Sequence, residues 1–248
     1  MTGVARMTIE KLLVDLGTAC AKMQDEAFHN LTTRRVECDE IWAFCGAKEK
    51  NASPEKKARG WGDIWTWTAI DSDSKLILSW LVGNRDASCA TRFMSDVASR
   101  LKHRVQLTTD GFKAYFDAVE DSFRGEIDYA VLQKIYGRPI SDSQTRYSPA
   151  QCIGIKLYVV NGDPDPGLIS TSYVERSNLT MRMHMRRFTR LTNGFSKKVA
   201  NHAHAVALHF AYYNFVKIHQ TLKTTPAMAA SVTNRLWEIE DLLALLDE

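Results

Sequence analysis

The sequence predicts an α/β fold in which a mixed sheet is flanked by helices. Residues 34–45 are rich in β-branched and aromatic side chains, 64–71 alternate as a strand does, and 75–82 complete a hairpin after the turn at 71–74. A short strand at 105–109 then runs into Asp110-Gly111 and a helical pattern. Strands that lead into helices in this way indicate a parallel pair joined by a crossover.

The first 30 residues form a predicted helical segment with Thr8 as its N-cap. Its apolar residues recur at helical spacing, at Val4, Met7, Leu12, Leu13 and Leu16. The segment resembles the turn and recognition helix of a helix-turn-helix motif whose first helix is missing. An amphipathic helix that packs on the main domain explains the pattern equally well.

The main domain is predicted to span residues 34–225. After the hairpin, 86–101 forms a helix with one apolar side, and 112–119 forms another. The pattern is poor at about 125–166, which we interpret as an insertion of uncertain form with two short strand candidates. Two long helices follow at 172–191 and 198–220, and the C-terminal part, 226–248, is expected to contain a last helix.

Composition indicates an ordinary globular chain, because 45% of its 248 residues are hydrophobic and 25% are charged. The N-terminus has no apolar stretch typical of a signal peptide, and the longest uncharged run, 199–216, is interrupted by histidines and asparagines, so we expect no membrane span. The five cysteines form no C-x-x-C pair and are interpreted as free thiols in a reducing cytoplasm.

The distribution of charge is uneven. Between Arg176 and Trp237 there is no Asp or Glu, whereas ten of the 32 Lys and Arg residues of the chain fall there. Such a segment favours an anionic partner, and nucleic acid is the simplest candidate. A solvated basic helix face is the alternative interpretation.

Three acids occur where a metal site could form. Asp39 lies within the first strand, Asp110 ends the strand at 105–109, and Glu175 opens the basic helix. Converging carboxylates repel one another and persist when a cation neutralises them. Oxygen ligands suit Mg²⁺ or Mn²⁺, and two such ions about 3.5–4 Å apart support in-line displacement at phosphorus.

The helix that carries Glu175 also carries a row of arginines. At ~100° per residue, Arg182 and Arg186 fall within ~20° of Glu175 on the helical wheel, with Arg190 a little further round. One helix would thus offer a metal ligand and phosphate-binding side chains. The alternative is a surface helix with an ordinary acid near its N-terminus, where the helix dipole favours an anion.

Five ordered motifs resemble transposases of the bacterial insertion-sequence-one family, over nearly the whole chain from Thr8 to its end. They are CDEIW at 38–42, GDIWTWTAID at 62–71, LTTDG at 107–111, TSYVERSNLTMR at 171–182 and YNFVKIHQTL at 213–222. The resemblance implies a ribonuclease H-like core whose Asp-Asp-Glu triad falls on Asp39, Asp110 and Glu175. Family members begin with a longer DNA-binding region, and we expect this chain to carry only a remnant of it.

The resemblance also implies how the protein works. The triad would bind Mg²⁺ or Mn²⁺, cleave double-stranded DNA at transposon ends and transfer the freed strand to target DNA, in a homo-oligomer assembled on DNA in the bacterial cytoplasm. Arg182 matches the basic position that follows the triad. We expect the DNA to be contacted by Arg182, Arg186, Arg187, Arg190, Lys197 and Lys198. The alternatives are a catalytically silent DNA-binding remnant that regulates transposition, and a nuclease without strand transfer.

Two adjacent acids need separate roles. Side chains alternate along a strand, so Glu37 and Asp39 share one face while Cys38 and Glu40 share the other. The family match assigns the catalytic role to Asp39. We therefore expect Glu40 to point away from the triad and to be a structural acid paired with a basic side chain.

Overall fold

The computed structural model describes residues 3–137, 151–189 and 193–247. In chain order its helices and strands are α1 (Arg6–Ala27), β1 (Arg35–Cys45), α2 (Pro54–Lys57), β2 (Gly62–Asp71), β3 (Ile77–Gly83), α3 (Ala87–Arg100), β4 (Gln106–Thr109), α4 (Ala114–Phe123), β5 (Asp128–Tyr136), β6 (Cys152–Asn161), α5 (Ser172–His184), α6 (Val199–Ala211), α7 (Pro226–Ala229) and α8 (Ile239–Ala244).

The six described strands form one sheet in the order β3-β2-β1-β4-β5-β6. The strands β1, β2 and β3 are antiparallel neighbours, β4 and β5 run parallel to β1, and β6 returns antiparallel to β5. The predicted fold class, a ribonuclease H-like mixed sheet flanked by helices, is therefore confirmed. The expected crossover between paired parallel strands joins β4 to β5 through α4.

Helices cover both faces of the sheet. On one face, Cys38 and Trp67 pack in a core with Phe93 of α3 and Tyr115 of α4. On the other face, Ile41 packs in a core with residues of α5 and α6. Because β1 is central and covered on both sides, a carboxylate on this strand is costly unless it is paired or lies at the strand's open end.

Within the segment predicted as an insertion at about 125–166, the two strand candidates are strands of the sheet. Strand β5 pairs with β4 over residues 128–131, and β6 extends the sheet by one more strand. The sequence pattern is poor because β6 is mostly exposed, with apolar side chains on both of its faces, so it lacks the alternation of a half-buried strand. The residues between these strands, 138–150, lie outside the described residues.

The two long helices predicted after residue 172 are both shorter than expected. Helix α5 ends at His184 because Met185 is extended, and the turn that follows brings Phe188 into the core, with its ring 4.9 Å from that of His202. Helix α6 ends at Ala211 and continues as a π-helical turn over Tyr212–Val216. In this turn Asn214 hydrogen-bonds the backbone N–H and C=O of Ile77, both at 3.0 Å.

The two ends of the chain pack on the main domain. Helix α1 contacts α6 and buries Leu16 and Cys20, whereas Met7 near its start is 81% exposed. This favours the amphipathic-helix interpretation, and the helix-turn-helix role stays a prediction. The C-terminal part contains the expected last helix as α8. The short helix α7 precedes it, and an irregular segment in which Trp237 packs on Phe215 separates the two.

Two sequence predictions concern the chain as a whole. All five cysteines are unpaired, as expected. Among the described helices, none is both long and apolar enough to cross a membrane.

Candidate active site

Asp39 and Asp110 lie beside each other where two parallel strands part. The ladder between β1 and β4 ends at the pair Cys38 and Thr109, and the next residue of each strand is one of these aspartates. Asp110 leaves the sheet in a tight turn, in which its Oδ1 accepts a hydrogen bond of 2.9 Å from the Phe112 N–H. The crevice beyond the carboxyl ends of parallel strands is a common place for ligand sites in open α/β sheets.

Glu40 also belongs to this group, which corrects one expectation from the sequence. One carboxylate oxygen from each of Asp39, Glu40 and Asp110 lies within 4.8 Å of the other two. Strand alternation does send Asp39 and Glu40 to opposite faces. However, Asp110 follows the end of β4 and is not held to either face, so both neighbours reach it. The prediction that only one of the adjacent acids meets Asp110 is therefore wrong.

Burial and mutual repulsion disfavour charge on these acids. Burial, with a smaller contribution from the charge of Asp110, raises the pKa of Asp39 to about 6. Burial likewise raises the pKa of Glu40 to about 7, again with a contribution from Asp110. A hydrogen bond of 2.9 Å from Asn178 to Asp39 acts in the opposite direction. Both acids therefore lack sufficient positive charge around them.

Arg85, in the loop between β3 and α3, is the basic partner of Glu40. Its Nε donates to Glu40 Oε2 at 3.0 Å, and its Nη2 lies 3.5 Å from Asp110 Oδ2. The guanidinium lies 4.0 Å from the ring centroid of Phe112 and 5.0 Å from that of Trp65. The expectation that Glu40 pairs with a basic residue is confirmed, and this residue also joins Glu40 to Asp110.

Glu175 faces the same crevice from the first turn of α5. It lines one cavity with Asp39 and Asp110 and a second with Asp39 and Glu40. Its Oε1 accepts hydrogen bonds from Lys134 Nζ at 2.6 Å and from Thr171 Oγ1 at 2.7 Å. Among the described residues, the group of acids within 4.8 Å of one another does not include Glu175. Lys134 of β5 neutralises it instead.

Glu37 holds the start of α5 against the sheet. Its Oε2 accepts hydrogen bonds from the N–H groups of Tyr173 at 2.8 Å and Val174 at 3.1 Å, and its Oε1 accepts one from Ser72 Oγ at 3.2 Å. The first N–H groups of a helix have no partner within the helix, and an anion there also interacts favourably with the helix dipole. One strand therefore carries Asp39 and fixes the helix that carries Glu175.

The site fits a hard divalent cation. Three carboxylates lie within reach of one small ion, and oxygen ligands of this kind are those that Mg²⁺ and Mn²⁺ prefer. Of the buried carboxylate oxygens, Glu40 Oε1 has no hydrogen-bond partner among the described residues. A bound cation would satisfy this oxygen and reduce the repulsion among the acids.

The basic residues predicted to contact DNA are divided among several places. Arg182 lines a cavity with Asp39 and Glu175, as the helical spacing predicted. Arg186 lies beyond the end of α5, so its expected alignment with Glu175 is wrong, and it lines another cavity together with Lys197 and Lys198.

Arg187 and Arg190 are the remaining predicted DNA contacts. Arg187 is half-buried and donates a hydrogen bond of 3.1 Å to Ser196 Oγ, while burial lowers its pKa. It also lines the cavity that Arg186, Lys197 and Lys198 share, so its contact with DNA stays a prediction. Arg190 lies outside the described residues.

No protein-family model matches this chain, and no curated protein matches it. Solved structures do. A chain of the simian T-cell lymphotropic virus intasome, in complex with PP2A regulatory subunit B56 gamma, is 14% identical, covers 84% of this chain and 57% of its own length, and has a TM-score of 0.47. The HTLV-2 integrase catalytic core domain in complex with magnesium, in a trimeric form, is 12% identical, with 82% and 99% coverage and a TM-score of 0.43.

A third similar structure is the piggyBac transposase synaptic complex with hairpin DNA. It is 10% identical, covers 87% of this chain and 52% of its own, and has a TM-score of 0.38. The chain is similar to integrase and transposase chains. It spans little more than half the length of the first and third of these relatives.

Sequence reasoning missed the two cations of the site. Arg85 and Lys134 come from the loop after β3 and from β5, far along the chain from the acids they contact. No motif marks them, because single basic residues are common and their partners are set by strand order. The role of Glu37 had a signal, since it shares a strand face with Asp39, two residues away.

Proposed function

We propose that this chain is a DDE transposase of the insertion-sequence-one type, which cleaves DNA at transposon ends and joins the freed strand to target DNA. The observation that carries the proposal is the meeting of Asp39 and Asp110 at the ends of a parallel strand pair, with Glu175 facing the same cavity. The three acids are those that the motif resemblance assigns to the triad, and they come from distant parts of the chain.

In this proposal Asp39, Asp110 and Glu175 hold Mg²⁺ or Mn²⁺. When bound, the metal activates the attacking oxygen and stabilises the leaving oxygen of an in-line displacement at phosphorus. Asn178 orients Asp39 through its hydrogen bond, and Arg85 keeps Asp110 beside the crevice. Lys134 holds Glu175 until a DNA phosphate offers the ammonium group another partner.

The proposed partner is double-stranded DNA. Arg182 lies close enough to the acids to bind the phosphate next to the one that reacts, since it lines a cavity with Asp39 and Glu175. Arg186, Lys197 and Lys198 surround another cavity, where they would contact the DNA backbone further along. We extend the proposal to a homo-oligomer assembled on DNA and to the bacterial cytoplasm, with the protein associated with the nucleoid when bound.

A strand-transfer assay with labelled duplexes, taken from the DNA that flanks the coding sequence, tests the proposal. We expect Mg²⁺-dependent joined products from the unaltered chain and none from Asp110→Asn, which should still bind the duplex. The matched control is Asp117→Asn, which makes the same change at an exposed site on α4 and should leave joining intact.

The other outcomes separate the rival functions. Binding without any cleavage by the unaltered chain would contradict the proposal and favour a silent remnant that occupies transposon ends. Hydrolysis without a joined product would leave a nuclease. Joining that survives Asp110→Asn would show that the site has been placed wrongly.

A further inference from the structure

Glu40 is a buried carboxylate that is only partly satisfied. Glu40 is 8% exposed, and its Oε2 accepts the hydrogen bond from Arg85. Its Oε1 has no hydrogen-bond partner among the described residues. A buried oxygen without a donor costs free energy, more so when it is charged, and native proteins rarely leave one in that state. This oxygen therefore needs a donor or a cation, and the nearby Tyr115 hydroxyl, which also lacks a partner among the described residues, is the donor that the protein itself could supply.

The charge around Glu40 indicates what kind of ligand this is. Asp39, Glu40 and Asp110 with the guanidinium of Arg85 leave a formal net charge of −2. Glu175 is neutralised separately by Lys134. The uncompensated negative charge thus lies on the side of Glu40, and one divalent cation would balance it.

We propose that Glu40 is a further metal ligand, which binds one divalent ion together with Asp39 and Asp110. Arg85 holds one end of the carboxylate, so the other oxygen is presented in a fixed direction. The ion-binding role stands on the geometry alone. The use of that ion in DNA cleavage rests on the transposase function proposed above.

Tyr115 provides the competing explanation. Its hydroxyl is fully buried beside Glu40, where it lowers the pKa of that carboxyl group. If Glu40 serves only to satisfy this hydroxyl, substitutions at either residue would change stability and would leave metal binding alone. The two roles can therefore be separated by measuring ion affinity and unfolding on the same variants.

The experiment is a titration of the full chain with Mn²⁺ in the absence of DNA, followed by electron paramagnetic resonance of the free ion. We expect the unaltered chain to bind one ion. Glu40→Gln should lower the Mn²⁺ affinity by at least about tenfold, which is the effect that changes of residues around the ligands already have. Asp39→Asn should weaken it as well. Tyr115→Phe should leave the affinity unchanged.

Glu37→Gln is the matched control, because it makes the same substitution at a buried glutamate of the same strand. It should not change Mn²⁺ affinity. If Glu40→Gln fails to fold, as judged by circular dichroism, Glu40→Asp replaces it, since this variant keeps the charge and draws the carboxylate back by one methylene. A lower Mn²⁺ affinity of a folded Glu40→Asp chain supports the proposal.

Affinity that is unchanged in a folded Glu40 variant would overturn the inference. So would an equal loss in Tyr115→Phe, which would assign the effect to the local structure. Mn²⁺ binding that requires Glu40 in a chain that joins no DNA would refute the transposase function and leave the ion site standing. Strand transfer by the unaltered chain, with an ion affinity that does not change in the Glu40 variants, would refute the metal-ligand role of Glu40 and leave the transposase function standing.

Discussion

Glu37 connects the strand that bears Asp39 to the helix that bears Glu175, and replacing it tests whether this contact positions the site. Leucine at position 37 removes the acceptor of the Tyr173 and Val174 N–H groups. Glutamine keeps an acceptor oxygen and removes the charge. The two variants therefore separate the hydrogen bonds from the carboxylate charge.

The magnitudes follow from the contacts. Each N–H left buried without an acceptor costs about 1–3 kcal/mol, so we expect the loss of two acceptors in Glu37→Leu to lower the free energy of unfolding by about 2–6 kcal/mol. Burial raises the pKa of Glu37 in spite of its hydrogen bonds, which means that the charge is poorly compensated. Removing the charge should thus cost little, and we expect Glu37→Gln to stay within about 1 kcal/mol of the unaltered chain.

Urea unfolding followed by circular dichroism measures the change in the free energy of unfolding. Mg²⁺-dependent cleavage of end DNA measures whether Glu175 keeps its position in the site. Because Glu175 directly follows the two held residues, a loosened first turn would displace it, and a shift of about 1 Å can lower a rate on the order of a hundredfold. We expect this loss in folded Glu37→Leu and not in Glu37→Gln. Equal stability of the two variants, or full cleavage by the leucine variant, would refute the reasoning.

Three further changes have defined outcomes. Arg182→Ala should weaken DNA binding and reduce by about 1 the slope of log affinity against log salt concentration. Arg92→Ala, on the exposed side of α3, should leave this slope unchanged. Filter binding at several salt concentrations measures both. Burial lowers the pKa of His202 to about 4, so neutral His202 contributes to folding stability above about pH 6.5 and this contribution is lost as pH falls through about 4. The free energy of unfolding should therefore differ by about 3 kcal/mol between the two ends of this pH range. His202→Asn should abolish this difference in urea unfolding. Lys134→Met should change the unfolding free energy by less than about 1 kcal/mol, since Glu175 is 39% exposed, and a larger loss on thermal unfolding would contradict this.

The sequence by itself determined the mixed sheet and the placement of the two aspartates. Alternation and β-branched composition marked β1 and β2, and an acid directly after an apolar run marked Asp110. These signals are local, because a residue's position along a strand fixes both its face and its distance from the strand's end. The resemblance of the motifs then added Glu175.

Only the tertiary structure decided what surrounds these acids. Strand order brings Lys134 to Glu175, and the loop after β3 brings Arg85 to Glu40. The end of α5 at His184 depends on the burial of Phe188, which overrides the helical pattern beyond it. Glu40 reaches Asp110 because the parallel ladder between β1 and β4 stops at Cys38 and Thr109, so Asp110 is not held in the sheet. Each of these contacts joins residues far apart in the chain, and no periodicity within a single segment records them.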